Sequence, residues 1–193
     1  MKKKSIIYNC LIIILELIAL IQYYNRVHTL SIEFYTMDSN ILALITSLLF
    51  IIFINKDYEW IKDLRFITTS CLTVTFIVVV MVLCPMYNFN YQYFMFGDEM
   101  LYLHTLCPII SIISYIFFEK KSNKKYLGVL VTIIYAIILI ILNIKKIVDG
   151  PYPFLKVYEQ PIYMSILWFF IIIGGSLGIG ILLNILNDKT KRG

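Results

Sequence analysis

Six stretches of roughly 20 apolar residues, separated by short charged segments, constrain this chain more than any other feature. They cover about residues 5–24, 36–54, 65–86, 98–118, 126–144 and 162–186. Each is about the length an α-helix needs to cross the hydrocarbon of a bilayer. Runs such as Ile133–Ile144 lack period-two alternation, which argues for helices over the strands of a membrane barrel. A water-soluble domain of 193 residues, 60% of them hydrophobic, would expose apolar patches larger than water tolerates. Lipid removes that conflict, provided each backbone polar group is paired inside its own helix. The expected fold is therefore all-α: one transmembrane domain over residues 1–193, a bundle of six spans with no internal repeat and no second domain.

The charges sit between the apolar runs and orient them. Of the 17 Lys and Arg residues, thirteen fall at the N-terminus, in 55–65, in 119–125 and at the C-terminus. The alternate connections hold four: Arg26, Lys145, Lys146 and Lys156. The positive-inside rule then places both termini in the cytoplasm and requires an even number of spans. A net charge of +5 distributed this way is a topology signal, so no nucleic-acid partner is expected. Lys2–Lys4 ahead of an apolar stretch resembles a signal peptide. Gln22-Tyr23-Tyr24-Asn25 offers no small-residue cleavage site, so the stretch reads as an uncleaved first helix. Abundant Ile, Lys, Asn and Tyr suit an AT-rich bacterial genome, which makes the expected location a bacterial plasma membrane. Cys10, Cys71, Cys84 and Cys107 lie scattered through apolar segments without metal-ligand spacing, so no metal or cofactor is expected. Cys84 and Cys107 approach the same membrane face, which leaves a disulfide open.

Polar residues inside a span are costly and therefore point to function. The second span opens with Thr36-Met37-Asp38-Ser39-Asn40, in which Thr36 and Asn40 share a helix face. His104 lies near the start of the fourth span, and topology alone brings it to the depth of Thr36. A hydroxyl beside an imidazole permits acyl transfer: Thr36 attacks an ester carbonyl, His104 takes and returns the proton, and Asn40 or backbone amides at the helix start stabilise the oxyanion. Asp38 would orient the imidazole or hold water. Two structural readings stay open beside this one. Thr, Asp, Ser and Asn are favoured helix N-caps, and a buried histidine can simply pack helices through a hydrogen bond. Pro108, four residues after His104, should kink the helix and free the carbonyl of residue 104. Glu16 sits mid-span in the first helix, as a proton-linked group or as an acid bonded to a neighbouring helix. Gly174, Gly175, Ser176, Gly178 and Gly180 suggest a close helix-packing face. Gly150-Pro151-Tyr152-Pro153-Phe154 reads as a stiff turn re-entering the interface, and the aromatic segment Tyr87–Gly97 as an interfacial anchor or a lid.

The stretch Phe34-Tyr35-Thr36-Met37-Asp38-Ser39-Asn40, then His104 with Pro108, then Gly150-Pro151-Tyr152-Pro153-Phe154-Leu155 resembles the androgen-induced protein family and its bacterial membrane relatives. The likeness in layout runs from about Ser5 to Leu186. It implies a multi-pass hydrolase of fatty acid esters of hydroxy fatty acids, with Thr36 as nucleophile and His104 as its partner. Asp38, Ser39, Asn40, Glu16, Gly150, Tyr152 and Phe154 would support the site or bind substrate. Similarity in layout to membrane phospholipid acyltransferases leaves an acceptor other than water open. Membrane lipids and a lipid-like acyl ester are the expected partners. The alternative from a different class is a non-enzymatic protein that binds or transports a lipid or small molecule through the same cavity.

Overall fold

The computed structural model describes residues 2–192, and all regular structure among them is helical. Six helices are long and apolar enough to cross a bilayer: α1 (Lys2–Val27), α2 (Tyr35–Ile52), α3 (Glu59–Met86), α5 (Asp98–Phe118), α6 (Leu127–Ile144) and α7 (Ile162–Arg192). A short helix, α4 (Tyr91–Phe96), lies between α3 and α5. A single 3-10 turn, Pro153–Leu155, interrupts the α6–α7 connection. The windows read from sequence fall on the six long helices. The largest shifts are at the start of α3 and the end of α7, where charged residues continue a helix past its apolar stretch.

The helix α3 is the axis of the bundle. It packs against α2, α5, α6 and α7, and 61% of its apolar window is buried, against 17% for α7 at the edge. Its buried face is polar as often as apolar: Asp63, Arg65, Thr68, Thr69, Ser70, Thr73 and Thr75 all point inward. Outward-facing positions carry the opposite chemistry. On α1 Ile7, Ile14, Leu17 and Ile21 are exposed, and α6 and α7 show Ile137, Ile141, Phe170 and Leu182. Polar side chains inside and aliphatic ones outside would be unstable in water, and they suit a multi-pass protein whose solvent is hydrocarbon.

Two of the long helices widen into a π turn. Both π turns, Val79–Leu83 in α3 and Leu101–Leu106 in α5, end immediately before a Cys-Pro pair. Proline has no N–H, and its ring would collide with the carbonyl four residues back. The helix relieves this by bonding one residue further back: Cys84 N–H to Val79 O, and Cys107 N–H to Tyr102 O. The irregularity expected from Pro108 is thus a local widening, and His104 lies inside it.

The glycines of α7 do not form a close packing face. A side chain at Gly174, Gly175 or Gly178 would meet nothing within 4 Å; only Gly180 approaches the core, where a Cβ would lie 3.3 Å from Phe66. Ser176 is the buried member of that stretch and bonds Thr132 of α6 at 3.0 Å. All four cysteines are free thiols, Cys84 and Cys107 included.

Candidate functional site

At the end of the bundle opposite the termini, a cavity of about 770 Å³ opens between α1, α2, α4, α5 and the α6–α7 connection. Thr36 and His104 both line it. The local chain path explains why. Thr36 is the second residue of α2, whose N-cap Phe34 supplies no capping side chain. The Met37 amide therefore begins the helix without a backbone partner among the described residues, as helix starts do when uncapped. The Thr36 amide points to the Tyr152 hydroxyl at 3.4 Å.

The imidazole of His104 is held by one side only. Its Nδ1 lies 2.7 Å from the carbonyl oxygen of Phe94 in α4. A carbonyl can only accept, so Nδ1 carries the proton and Nε2 keeps a free lone pair. Among the described residues Nε2 has no hydrogen-bond partner. The next residue repeats the pattern, with Thr105 Oγ1 donating to Met95 O at 2.7 Å. Two adjacent side chains of the π turn thus fasten α4 across the mouth of the cavity. Met95 is buried beneath it while Tyr91, Tyr93 and Phe96 stay exposed. The loop leading into α4 passes through two consecutive left-handed residues, Asn88 (φ 56°) and Phe89 (φ 58°). An aromatic residue rarely adopts that conformation. Opposite, Arg26 at the rim bonds the buried Glu99 through Nε at 2.8 Å and again through its terminal nitrogen.

Ser39 and Asn40 fix the helix that carries Thr36. Ser39 Oγ bonds Thr36 O and Thr75 Oγ1, each at 3.0 Å. Asn40 Nδ2 donates to Thr36 O at 2.7 Å and to Leu103 O, the residue before His104, at 3.2 Å. That amide nitrogen is committed to joining the two chain segments and is not free for an oxyanion. Asp38 is exposed and lies away from the cavity lining, near Glu33.

Tyr152 and Phe154 enter from the α6–α7 connection. Their rings stack at 5.2 Å, Phe34 meets Tyr152 edge-on at 6.0 Å, and Trp168 backs Phe154 at 5.4 Å. Gly150 lets this turn close: a Cβ there would sit 2.8 Å from the Leu155 backbone. Asn143 ties the connection to α6, accepting from Val157 N and donating to Val148 O. Burial pushes the Tyr152 phenol above its ordinary range, with hydrogen bonds from the Thr36 side chain and from the Thr36 and Tyr35 amides pulling the other way. Thr36 and Tyr152 also line a second, narrow cavity of about 60 Å³, walled by Val78, Ile140, Phe154, Trp168 and Ile172.

Glu16 lies deeper, outside the lining of either cavity. Ala19 packs with Met37 and Leu103, and Ile12 with Ala43 and Ile110, so Glu16 falls level with Asn40 and Cys107. Cys107 is beside it, yet neither carboxyl oxygen makes a hydrogen bond among the described residues. The Phe94 carbonyl and the Arg26–Glu99 pair escaped the sequence reading. A carbonyl carries no sequence signal, though Arg26 and Glu99 flank two spans at the same end. Among the described residues there is no cluster of His, Cys, Asp and Glu able to hold a metal ion.

The fold and site define a protein of membrane character, with six span-length helices and, at one end, a largely apolar cavity that holds a few polar groups. Compared with protein-family models, curated proteins and solved structures, the chain returns no match.

Proposed function

We propose that the large cavity is an intramembrane lipid-ester site in which Thr36 is the nucleophile and His104 the general base. One observation carries this reading: a threonine hydroxyl and a histidine with a fixed tautomer and an unengaged Nε2 line the same cavity. The step balances simply. Nε2 accepts the Thr36 proton as Oγ1 bonds to the ester carbonyl carbon. The imidazolium then protonates the departing alcohol, and water, activated by the same nitrogen, releases the acid and restores Thr36. A different acceptor in place of water makes the reaction an acyl transfer. Oxyanion donors are at hand in the uncapped Met37 amide of α2 and in the Tyr152 hydroxyl. The narrow apolar cavity that begins at Thr36 has room for a short apolar segment only, so the bulk of an acyl chain would lie in the large cavity. On this reading the cavity faces the outer leaflet and both termini are cytoplasmic, as the lysine distribution requires.

The test is hydrolysis of long-chain acyl esters by purified protein in detergent. Thr36→Ala and His104→Gln should each lower kcat about 10²–10⁴-fold, while Thr36→Ser retains activity. Full activity in both variants defeats the mechanism. An inactive parent protein that co-purifies with lipid turns the reading to binding or transport.

A further inference from the structure

A third cavity, of about 410 Å³, lies at the end of the bundle that holds both termini, and its charge is unbalanced. Lys2, Lys56, Lys62, Arg65 and Lys120 line it, against Asp57 and Glu119. Arg65 is fully engaged by Glu119, at 3.0 and 3.1 Å. Asp57 is shared by Lys62 at 3.0 Å and Lys120 at 2.8 Å, and those lysines hold its carboxyl below the usual range. The Lys2 ammonium meets only the neutral amide of Asn55, and Lys56 has no side-chain partner among the described residues. Lys62 has a second carboxylate in Glu59 at 2.6 Å, so Lys120 keeps Asp57 while two ammonium groups, Lys2 and Lys56, are left without a counter-charge.

The rest of the lining is not that of a site for a soluble anion. Phe50, Ile54 and Phe118 supply an apolar wall between the ends of α2 and α5. At the rim Phe53, Tyr58 and Trp60 pack on one another at 5.4–6.1 Å, with Tyr58 and Trp60 exposed. Clustered Tyr and Trp of this kind settle at the headgroup level of a bilayer. Basic pockets between spans at that level take anionic headgroups, because the phosphate gains charge-assisted bonds while its chains remain in hydrocarbon.

We infer that this cavity binds an anionic phospholipid, its phosphodiester held by Lys2, Lys56 and Lys120 and its acyl chains lying against Phe50, Ile54 and Phe118. The inference is independent of the chemistry at Thr36. It can be read from Trp60, one of two tryptophans, once Trp168→Phe removes the other. The full chain is placed in phosphatidylcholine vesicles containing brominated phosphatidylglycerol or brominated phosphatidylcholine, and quenching of Trp60 is compared. Phosphatidylglycerol should quench preferentially. The preference should fall about fivefold for each lysine removed in Lys2→Gln/Lys56→Gln/Lys120→Gln. Asp57→Asn removes a competing carboxylate and should strengthen it by about as much, a gain that misfolding cannot produce. Equal quenching by the two lipids, or a preference untouched by the lysine variant, overturns the assignment. So does a result in which inorganic phosphate raises the melting temperature through the same lysines while both lipids quench alike, since the bound oxyanion is then soluble.

Discussion

Two side chains near the proposed ester site test what burial does to a polar group. The Tyr152 hydroxyl accepts from the Thr36 amide, which leaves its own proton free to donate toward a developing oxyanion. Burial raises its phenol, so the donor form persists at and beyond the ordinary tyrosine value of about 10. Tyr152→Phe keeps the stack on Phe154 and removes only the donor. We expect kcat to fall about 10²–10³-fold with KM little changed, and the parent profile to show no alkaline loss below pH ~10. Unchanged turnover in the variant would assign the oxyanion to the Met37 amide alone. Glu16 is the contrasting case, a fully buried carboxyl whose oxygens have no hydrogen-bond partner among the described residues. An unmade hydrogen bond costs more than an absent group. Glu16→Met, close in volume, should therefore stabilise the protein by about 1–3 kcal/mol, seen as a higher melting temperature in detergent. A lower one would show that Glu16 contributes an interaction to the fold.

At the scale of the helix, the π turn of α5 is what aims His104. It exists because Pro108 denies His104 O its normal partner and Cys107 N–H reaches back to Tyr102 instead. Restoring the N–H with Pro108→Ala permits a regular helix, in which residues before the turn rotate relative to those after it. The bonds from His104 to Phe94 and from Thr105 to Met95 would then be lost together. Expected outcomes are an ester-hydrolysis rate reduced at least as far as for His104→Gln, faster amide exchange across 87–97, and a melting temperature equal to or above the parent's. Retained activity would mean that the π turn is set by packing and not by proline. The irregularity at residue 104 was legible in the sequence, because proline acts through its own covalent geometry. Its form was not, since bend and widening both answer the missing N–H and the choice depends on neighbouring helices. Likewise the stiff turn at Gly150–Phe154 could be read from its prolines, whereas its reach to Thr36 rests on contacts with Asn143 and Trp168 of the flanking helices, which spacing alone does not reveal.

Over the whole molecule, hydropathy made the six helices legible because each span must satisfy its backbone alone. Depth followed from topology, which is why Thr36 and His104 could be matched while rotation about each helix, and so the outward position of Asp38, could not. The same limit hid the polar core near the termini. Arg65 counts as a loop charge in the sequence, yet it is 1% exposed and pairs with Glu119 just beyond α5. The pair draws in nearly every span. Arg65 reaches Ser47 of α2 at 3.2 Å and Ser111 of α5 at 3.4 Å. Glu119 accepts from Asn9 of α1 at 2.9 Å and from Ser114 at 2.5 Å, and its carbonyl receives Asn187 and Lys191 of α7. Coulomb attraction here is offset by the cost of taking two ions out of water, so the pair adds little net stability over an apolar substitute. Removing one partner is different, because it strands the other as a lone buried charge. Arg65→Met or Glu119→Met alone should therefore destabilise by about 3–5 kcal/mol, whereas Arg65→Met/Glu119→Met together should lie well above either single variant in a thermal melt. A double variant less stable than both singles would mean that the surrounding hydroxyls and amides, left unpaired, outweigh the ions in holding the six helices together.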